Sequence, residues 1–155
     1  AKNGKSDGVR YTVIHVNRTY EELDYYKELS EIEKAQKFDF VYVPGVSRPR
    51  QRDLDDRAMG KGRANNILRY ILGMPLREEQ DVQEAAAKGE DLSKAQAVLK
   101  KTVRPVLPAQ HSLKALQDRV DPSNTVVVTC GNPWSMEDIK YIAESNHMRF
   151  EKEDW

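Results

Sequence analysis

Apolar residues in this chain gather into short, nearly continuous runs separated by long polar stretches. Tyr11-Thr12-Val13-Ile14-His15-Val16 is β-branched and aromatic without strict alternation, the pattern of a strand covered on both faces of a parallel sheet. Thr19 precedes Glu22 by three positions, the spacing of a capping box. Leu23, Tyr26, Leu29 and Ile32 then recur at helical intervals, which predicts a helix over 20–35. A second strand over 38–43, Phe-Asp-Phe-Val-Tyr-Val, is expected to stop at Pro44-Gly45. Strand, helix and strand in this order make a β-α-β unit with a right-handed crossover.

The pattern then changes. Residues 46–63 read as an arginine-rich polar loop, and Leu68, Ile71 and Leu72 support a short helix over 64–72, closed by Gly73 and Pro75. From 77 to 101 the chain is Ala, Glu, Gln, Lys and Leu broken at Gly89, which predicts two surface helices with Asp91 or Ser93 capping the second. Pro105 and Pro108 interrupt, and 112–120 is expected to add a turn or two of helix. Asp121-Pro122-Ser123-Asn124 is a turn, and 125–130 (Thr-Val-Val-Val-Thr-Cys) is the strongest candidate for a buried strand. Ser135 is expected to cap a helix over 136–145, and 147–152 to form a last short strand. No internal repeat interrupts this order, which reads as an α/β protein with a mainly parallel sheet and a helical insertion over about 74–120.

Composition narrows the function. The 155 residues carry 25 Lys and Arg against 25 Asp and Glu, a balance that argues against a generic nucleic-acid binder. No apolar run approaches the roughly 20 residues of a membrane span, and residues 1–10 lack the apolar stretch of a signal peptide. A single cysteine, Cys130, excludes an internal disulfide, and the scattered His15, His111 and His147 give no zinc pattern. With 39% hydrophobic and 32% charged residues, a soluble cytoplasmic protein is the expectation.

Ligands of open parallel sheets bind beyond the carboxyl ends of the strands. Those ends read Asn17-Arg18-Thr19, Pro44-Gly45-Val46-Ser47-Arg48 and Cys130-Gly131-Asn132-Pro133. Two of the three set an arginine beside a hydroxyl near a helix start, which suits a phosphate. Within 48–63, six cationic side chains (Arg48, Arg50, Arg52, Arg57, Lys61 and Arg63) stand against three aspartates, with Gly60 and Gly62 allowing close backbone approach. A solvated charge-rich loop is the bland alternative, and the position at a strand end weighs against it. Cys130 has no histidine near in sequence, so it reads as a contact residue for a flat ligand rather than a nucleophile.

These segments resemble the NADP-binding half of the ferredoxin/flavodoxin–NADP reductase family. The likeness rests on Arg18-Thr19 with Glu21-Glu22-Leu23 and Tyr26, on Phe40–Pro44 leading into Ser47-Arg48, and on Gly62-Arg63. It continues in Thr125–Pro133 with Asp138 and in the aromatic end Glu151–Trp155, and covers about half the chain. The resemblance implies a Rossmann-like sheet, incomplete here, with flanking helices. Ser47, Arg48 and Arg63 would bind the adenosine 2′-phosphate of NADP(H), with Arg18 reaching the phosphates. Cys130 and Gly131 would face the nicotinamide at the catalytic position, within a segment continued by Asn132, Pro133 and the acid Asp138. Trp155 would cover part of FAD, and ferredoxin or flavodoxin would exchange electrons with the flavin. The family's Gly-Thr-Gly-x-Ala-Pro strand and flavin barrel are not in this sequence. A sheet without that middle strand, which lies between 11–16 and 125–130 in the family, leaves two unpaired edges, so the chain is expected to be a carboxyl-terminal portion of a larger protein. Two alternatives stand beside this reading: an NADH-linked reductase component of an oxygenase, and a non-catalytic nucleotide-binding or docking module.

Overall fold

In the computed structural model, which describes residues 8–152, five short strands all pair in parallel and are flanked by helices. The first β-α-β unit runs β1 (Tyr11–Asn17), α1 (Tyr26–Ala35) and β2 (Phe40–Val46), and β1 aligns with β2 from Tyr11↔Phe40 to Asn17↔Val46. A five-residue helix α2 (Gln51–Asp55) then leads to β3 (Gly60–Lys61), which adds to the other edge of β2. The 46–63 stretch is therefore not wholly loop. Its glycines explain why: a Cβ on Gly60 would stand 2.7 Å from the Pro44 carbonyl oxygen and 3.0 Å from that of Val106. Only glycine lets the backbones close there. Gly60→Ala is expected to cost about 1–3 kcal/mol, as overpacking does, measured by urea unfolding against wild type.

The first helix is shorter than its periodicity predicts. Tyr20–Glu22 form a single 3₁₀ turn, and α1 starts only after Tyr25, whose φ of 66° is left-handed. Thr19 and Glu22 do meet, through a 3.0 Å bond from the Thr19 hydroxyl to Glu22 Oε1, but as side chains. The carboxylates of Glu21 and Glu22 pair with Arg18 after β1 and with Arg50 and Arg52 at the start of α2, and the left-handed Tyr25 separates the turn from α1. Strand β2 runs through Pro44 and Gly45 instead of stopping there, because β1 and β3 hold it on both sides.

Helix α3 (Ala64–Ile71), the hairpin of α4 (Arg77–Ala87) and α5 (Ser93–Lys101), and α6 (Leu113–Arg119) follow near the predicted positions. Ser112 caps α6, accepting from the Ala115 amide at 3.1 Å. Val43, Ile67, Ile71 and Leu116 form one buried cluster between the first sheet and α3 and α6. On the opposite face Leu23, Val46 and Met59 pack together beside Tyr26. Strand β2, buried on both sides, fits its continuous apolar sequence.

Strand β4 (Val126–Thr129) does not. It pairs only with β5 (Arg149–Lys152), in a second two-stranded sheet. Val127 joins the cluster of Leu68, Ile139 and Ile142, whereas Val126 and Val128 are 48% and 59% exposed. Helix α7 (Pro133–Ser145) lies on one face only, so alternate valines point outward. Ile14 of β1 and Val127 of β4 touch the same cluster from the two sheets, yet no ladder connects the strands. The coarse expectation of a mixed α/β protein with parallel strands holds, with the sheet divided between β1 and β4. No described helix is long and apolar enough to cross a membrane.

Candidate functional site

The register of the first sheet brings its carboxyl ends level, and the ladder continues past the strands. The Ser47 amide donates to the Asn17 carbonyl and the Arg48 amide to the Arg18 carbonyl, both at 2.9 Å; the Gly62 amide donates to the Val46 carbonyl at 3.0 Å. Residues 17–18, 47–48 and 62–63, far apart in sequence, thus lie on neighbouring backbones. Arg18 and Arg48 are exposed and Ser47 is half-buried.

The side chains of this edge are already partly neutralised. Arg18 Nη2 stands 2.9 Å from Glu22 Oε2, and Nε 3.3 Å from the same oxygen. The hydrogen bonds from Arg18 and Thr19, with the charges of Arg18 and Arg48, hold the Glu22 carboxyl below its ordinary range. Glu21 spans two further arginines: Arg50 Nη2 lies 2.5 and 2.8 Å from its oxygens, and Arg52 Nη2 2.6 Å from Oε1. The Arg50 hydrogen bond above all lowers the Glu21 carboxyl to about 2. Arg52 also lies over the Tyr20 ring, 5.1 Å from its centre. Arg48 makes no side-chain ion pair among the described residues.

Arg63 behaves differently. It precedes α3, and its guanidinium lies 5.1 Å from the ring centre of Trp134, in the first turn of α7. The structure therefore brings Arg18 and Arg48 near Glu22, with Ser47 on the adjoining backbone, while the head group of Arg63 turns to Trp134 at the start of α7. In the loop after β4 Cys130 is exposed. Gly131 has a φ of 142°, and a Cβ there would meet nothing within 4 Å, so its backbone faces open space. Asn132, not Ser135, caps α7, accepting the Ser135 amide at 2.9 Å, and Pro133 takes the first helical position, where its missing N–H costs nothing.

Asp138, in the second turn of α7, is fully buried. Its oxygens accept from Asn65 Nδ2 at 2.7 Å, Arg69 Nε at 2.9 Å, Arg69 Nη2 at 2.5 Å and Arg77 Nη1 at 3.3 Å. Arg69, also fully buried, donates through Nη1 to the Pro75 carbonyl at 2.9 Å and to Gln80 Oε1 at 2.8 Å. Asp138 thus ties α7 to α3 and α4, and Arg77 lies over Trp134 as well, 5.8 Å from its centre. Fully buried in the joint between α7, α3 and α4, Asp138 has no exposed oxygen to offer a ligand. Trp155 lies outside the described residues.

Sequence reasoning missed Trp134, Arg69 and Arg77, and treated Glu22 as a helix cap. An aromatic residue in the first turn after Asn132-Pro133 was the available signal for Trp134. The Arg69–Asp138 pair spans 69 positions, and nothing local announces it. Chemically, the edge presents guanidinium groups and the Ser47 hydroxyl, its Arg18, Ser47, Arg48 and Gly62 amides being taken up by the ladder and by Asn17, and the loop after β4 presents a bare glycine backbone beside an exposed thiol. Compared with protein-family models, with curated proteins and with solved structures, the chain matches none.

Proposed function

We propose that this chain is the NADP(H)-binding portion of a flavin-dependent oxidoreductase, built on a Rossmann-like parallel sheet. Ferredoxin or flavodoxin is the proposed electron-exchange partner. The observation that carries the reading is the ladder of Asn17-Arg18, Ser47-Arg48 and Gly62-Arg63 at the carboxyl edge of β1, β2 and β3. Carboxyl edges are where parallel sheets bind nucleotides. In this reading Arg48, Ser47 and Arg18 hold the adenosine 2′-phosphate, and the nicotinamide lies toward Cys130 and Gly131. Arg63, on Trp134, is assigned by this reading to the stretch between the two ends of the dinucleotide. The division of the sheet between β1 and β4 accords with a fold that takes another strand at that place.

FAD, when bound, supplies the acceptor for hydride; the described residues include none that the resemblance assigns to it, and their work is confined to the nucleotide. They bind its phosphates, orient its ring and exclude side-chain bulk at Gly131. Hydrogen bonds to charged groups contribute about 1.5–3 kcal/mol each, so two arginines favour NADPH over NADH by roughly 100-fold. Calorimetric titration of the chain with NADPH and NADH tests this. Equal affinity for the two contradicts it.

Glu21 and Glu22 give weight to one competing reading, the NADH-linked reductase component, because acids near this edge accept ribose hydroxyls in NAD-selective sheets. Tighter binding of NADH than NADPH selects that reading. A second readout concerns Cys130. Being exposed, it is expected to react completely with a thiol reagent in the folded protein, and saturating NADP⁺ is expected to slow that reaction severalfold. Unchanged labelling in the presence of bound NADP⁺ places the ring elsewhere.

A further inference from the structure

The 3₁₀ turn Tyr20–Glu22 places two adjacent carboxylates on three of the arginines at the carboxyl edge: Glu22 on Arg18, and Glu21 on both Arg50 and Arg52. We infer that this turn is a built-in counter-anion, which a ligand must displace and which only a dianionic phosphate displaces well. The inference rests on the proposed phosphate site and adds its selectivity.

The argument is electrostatic. Glu22 sits where the charges of Arg18 and Arg48 both act on it, which is the position the 2′-phosphate is proposed to take. Each carboxylate carries one negative charge and two oxygens. A phosphomonoester near neutral pH carries close to two charges and three oxygens, because its second ionisation lies near pH 6. It therefore outcompetes a carboxylate for the same guanidinium groups, whereas a ribose hydroxyl or a phosphodiester does not. The pairs to be broken are exposed, with side chains 37–60% accessible, so each is weak and its displacement costs a few-fold in affinity. The Arg50 hydrogen bond holds the Glu21 carboxyl below its ordinary range, so its competition persists throughout the physiological range. Without ligand, the same contacts take two charges off the arginine-rich edge, which limits its attraction for unrelated polyanions.

The turn is also held so that it can act in this way. Asn17 Nδ2 donates to the Glu22 carbonyl at 3.0 Å, and the Glu22 amide donates to the Thr19 carbonyl at 3.1 Å, so the backbone stays in place when the carboxylates let go. Gln at position 22 keeps an acceptor for Thr19, and Glu21 is half exposed, so the neutral variants are expected to fold as wild type.

The test measures dissociation constants of adenosine 2′,5′-bisphosphate, AMP and inorganic pyrophosphate at low salt, for wild type, Glu21→Gln, Glu22→Gln and Arg48→Ala. Thermal unfolding midpoints serve as the control for folding. At least one glutamine variant is expected to bind the bisphosphate and pyrophosphate about three- to tenfold tighter, and AMP, whose 5′-phosphate is also a monoester, tighter as well. Unchanged or weaker binding of both phosphate probes in both variants overturns the counter-anion role. Loss of AMP binding in Glu22→Gln or Glu21→Gln also overturns it, and makes that acid a ribose ligand. If pyrophosphate binding tightens but the bisphosphate binds no better than AMP and ignores Arg48→Ala, the counter-anion stands and the 2′-phosphate reading fails.

Discussion

Asp138→Ala is expected to lower the unfolding free energy by about 3–5 kcal/mol, because it leaves Arg69 charged, fully buried and without its carboxylate. Urea unfolding followed by circular dichroism measures the loss. A double variant, Arg69→Met with Asp138→Leu, is expected to regain most of it, since both charges then leave the interior together. The pair also has a pH signature. Burial pushes the Asp138 carboxyl up, but hydrogen bonds from Arg69 and Asn65, with the charge of Arg69, outweigh it and hold the group below its ordinary 3.8. A lowered folded value means that this stabilisation is complete above the unfolded value and is lost as pH falls through the folded one. Wild type is therefore expected to lose stability in acid that Asp138→Asn does not lose. Identical acid profiles for the two proteins contradict the role given to Asp138.

The second large effect is on ligand binding. Arg48→Ala is expected to weaken NADPH binding by about 10- to 100-fold and to change NADH binding little, as removing one charged hydrogen-bonding partner does. Arg48 is the informative position because no carboxylate pairs with it among the described residues, so its removal does not free a competing acid. Arg18→Ala is expected to cost less, since Arg18 must give up its pair with Glu22 to take the phosphate and so gains less from it, and the two variants combined are not additive. Titration of both nucleotides into each variant measures this. Equal losses for NADPH and NADH would assign Arg48 to a phosphate common to both.

The parts of the fold that local pattern decides were legible in the sequence. β1, β2 and the helix positions from α3 to α7 follow from β-branched runs, helical periodicity and the punctuation at Gly73, Gly89 and Pro105. The misreadings occur where distant residues decide. Thr19 to Glu22 has capping-box spacing, but its carboxylates pair with arginines at 18, 50 and 52 and the left-handed Tyr25 sets the turn apart from α1. Val126-Val127-Val128 reads as strand whatever covers it, and which valines are exposed depends on where α7 and β5 pack. At the site, the strand-end arginines were visible because strand ends are visible. Where Arg63 points was not, because Trp134 is 71 positions away. Asp138 looked available as an acid on a helix, and only the fold shows that Arg69 and Arg77 reach it inside the protein.

The most direct test of the phosphate site is residue-specific. Adenosine 2′,5′-bisphosphate titrated into isotopically labelled protein is expected to shift the backbone amides of Arg18, Ser47, Arg48 and Gly62 together, with one common dissociation constant, while amides of α5 stay still. Perturbations that appear elsewhere, or none at concentrations that saturate NADPH binding, would contradict a dianion held where those three chain segments meet.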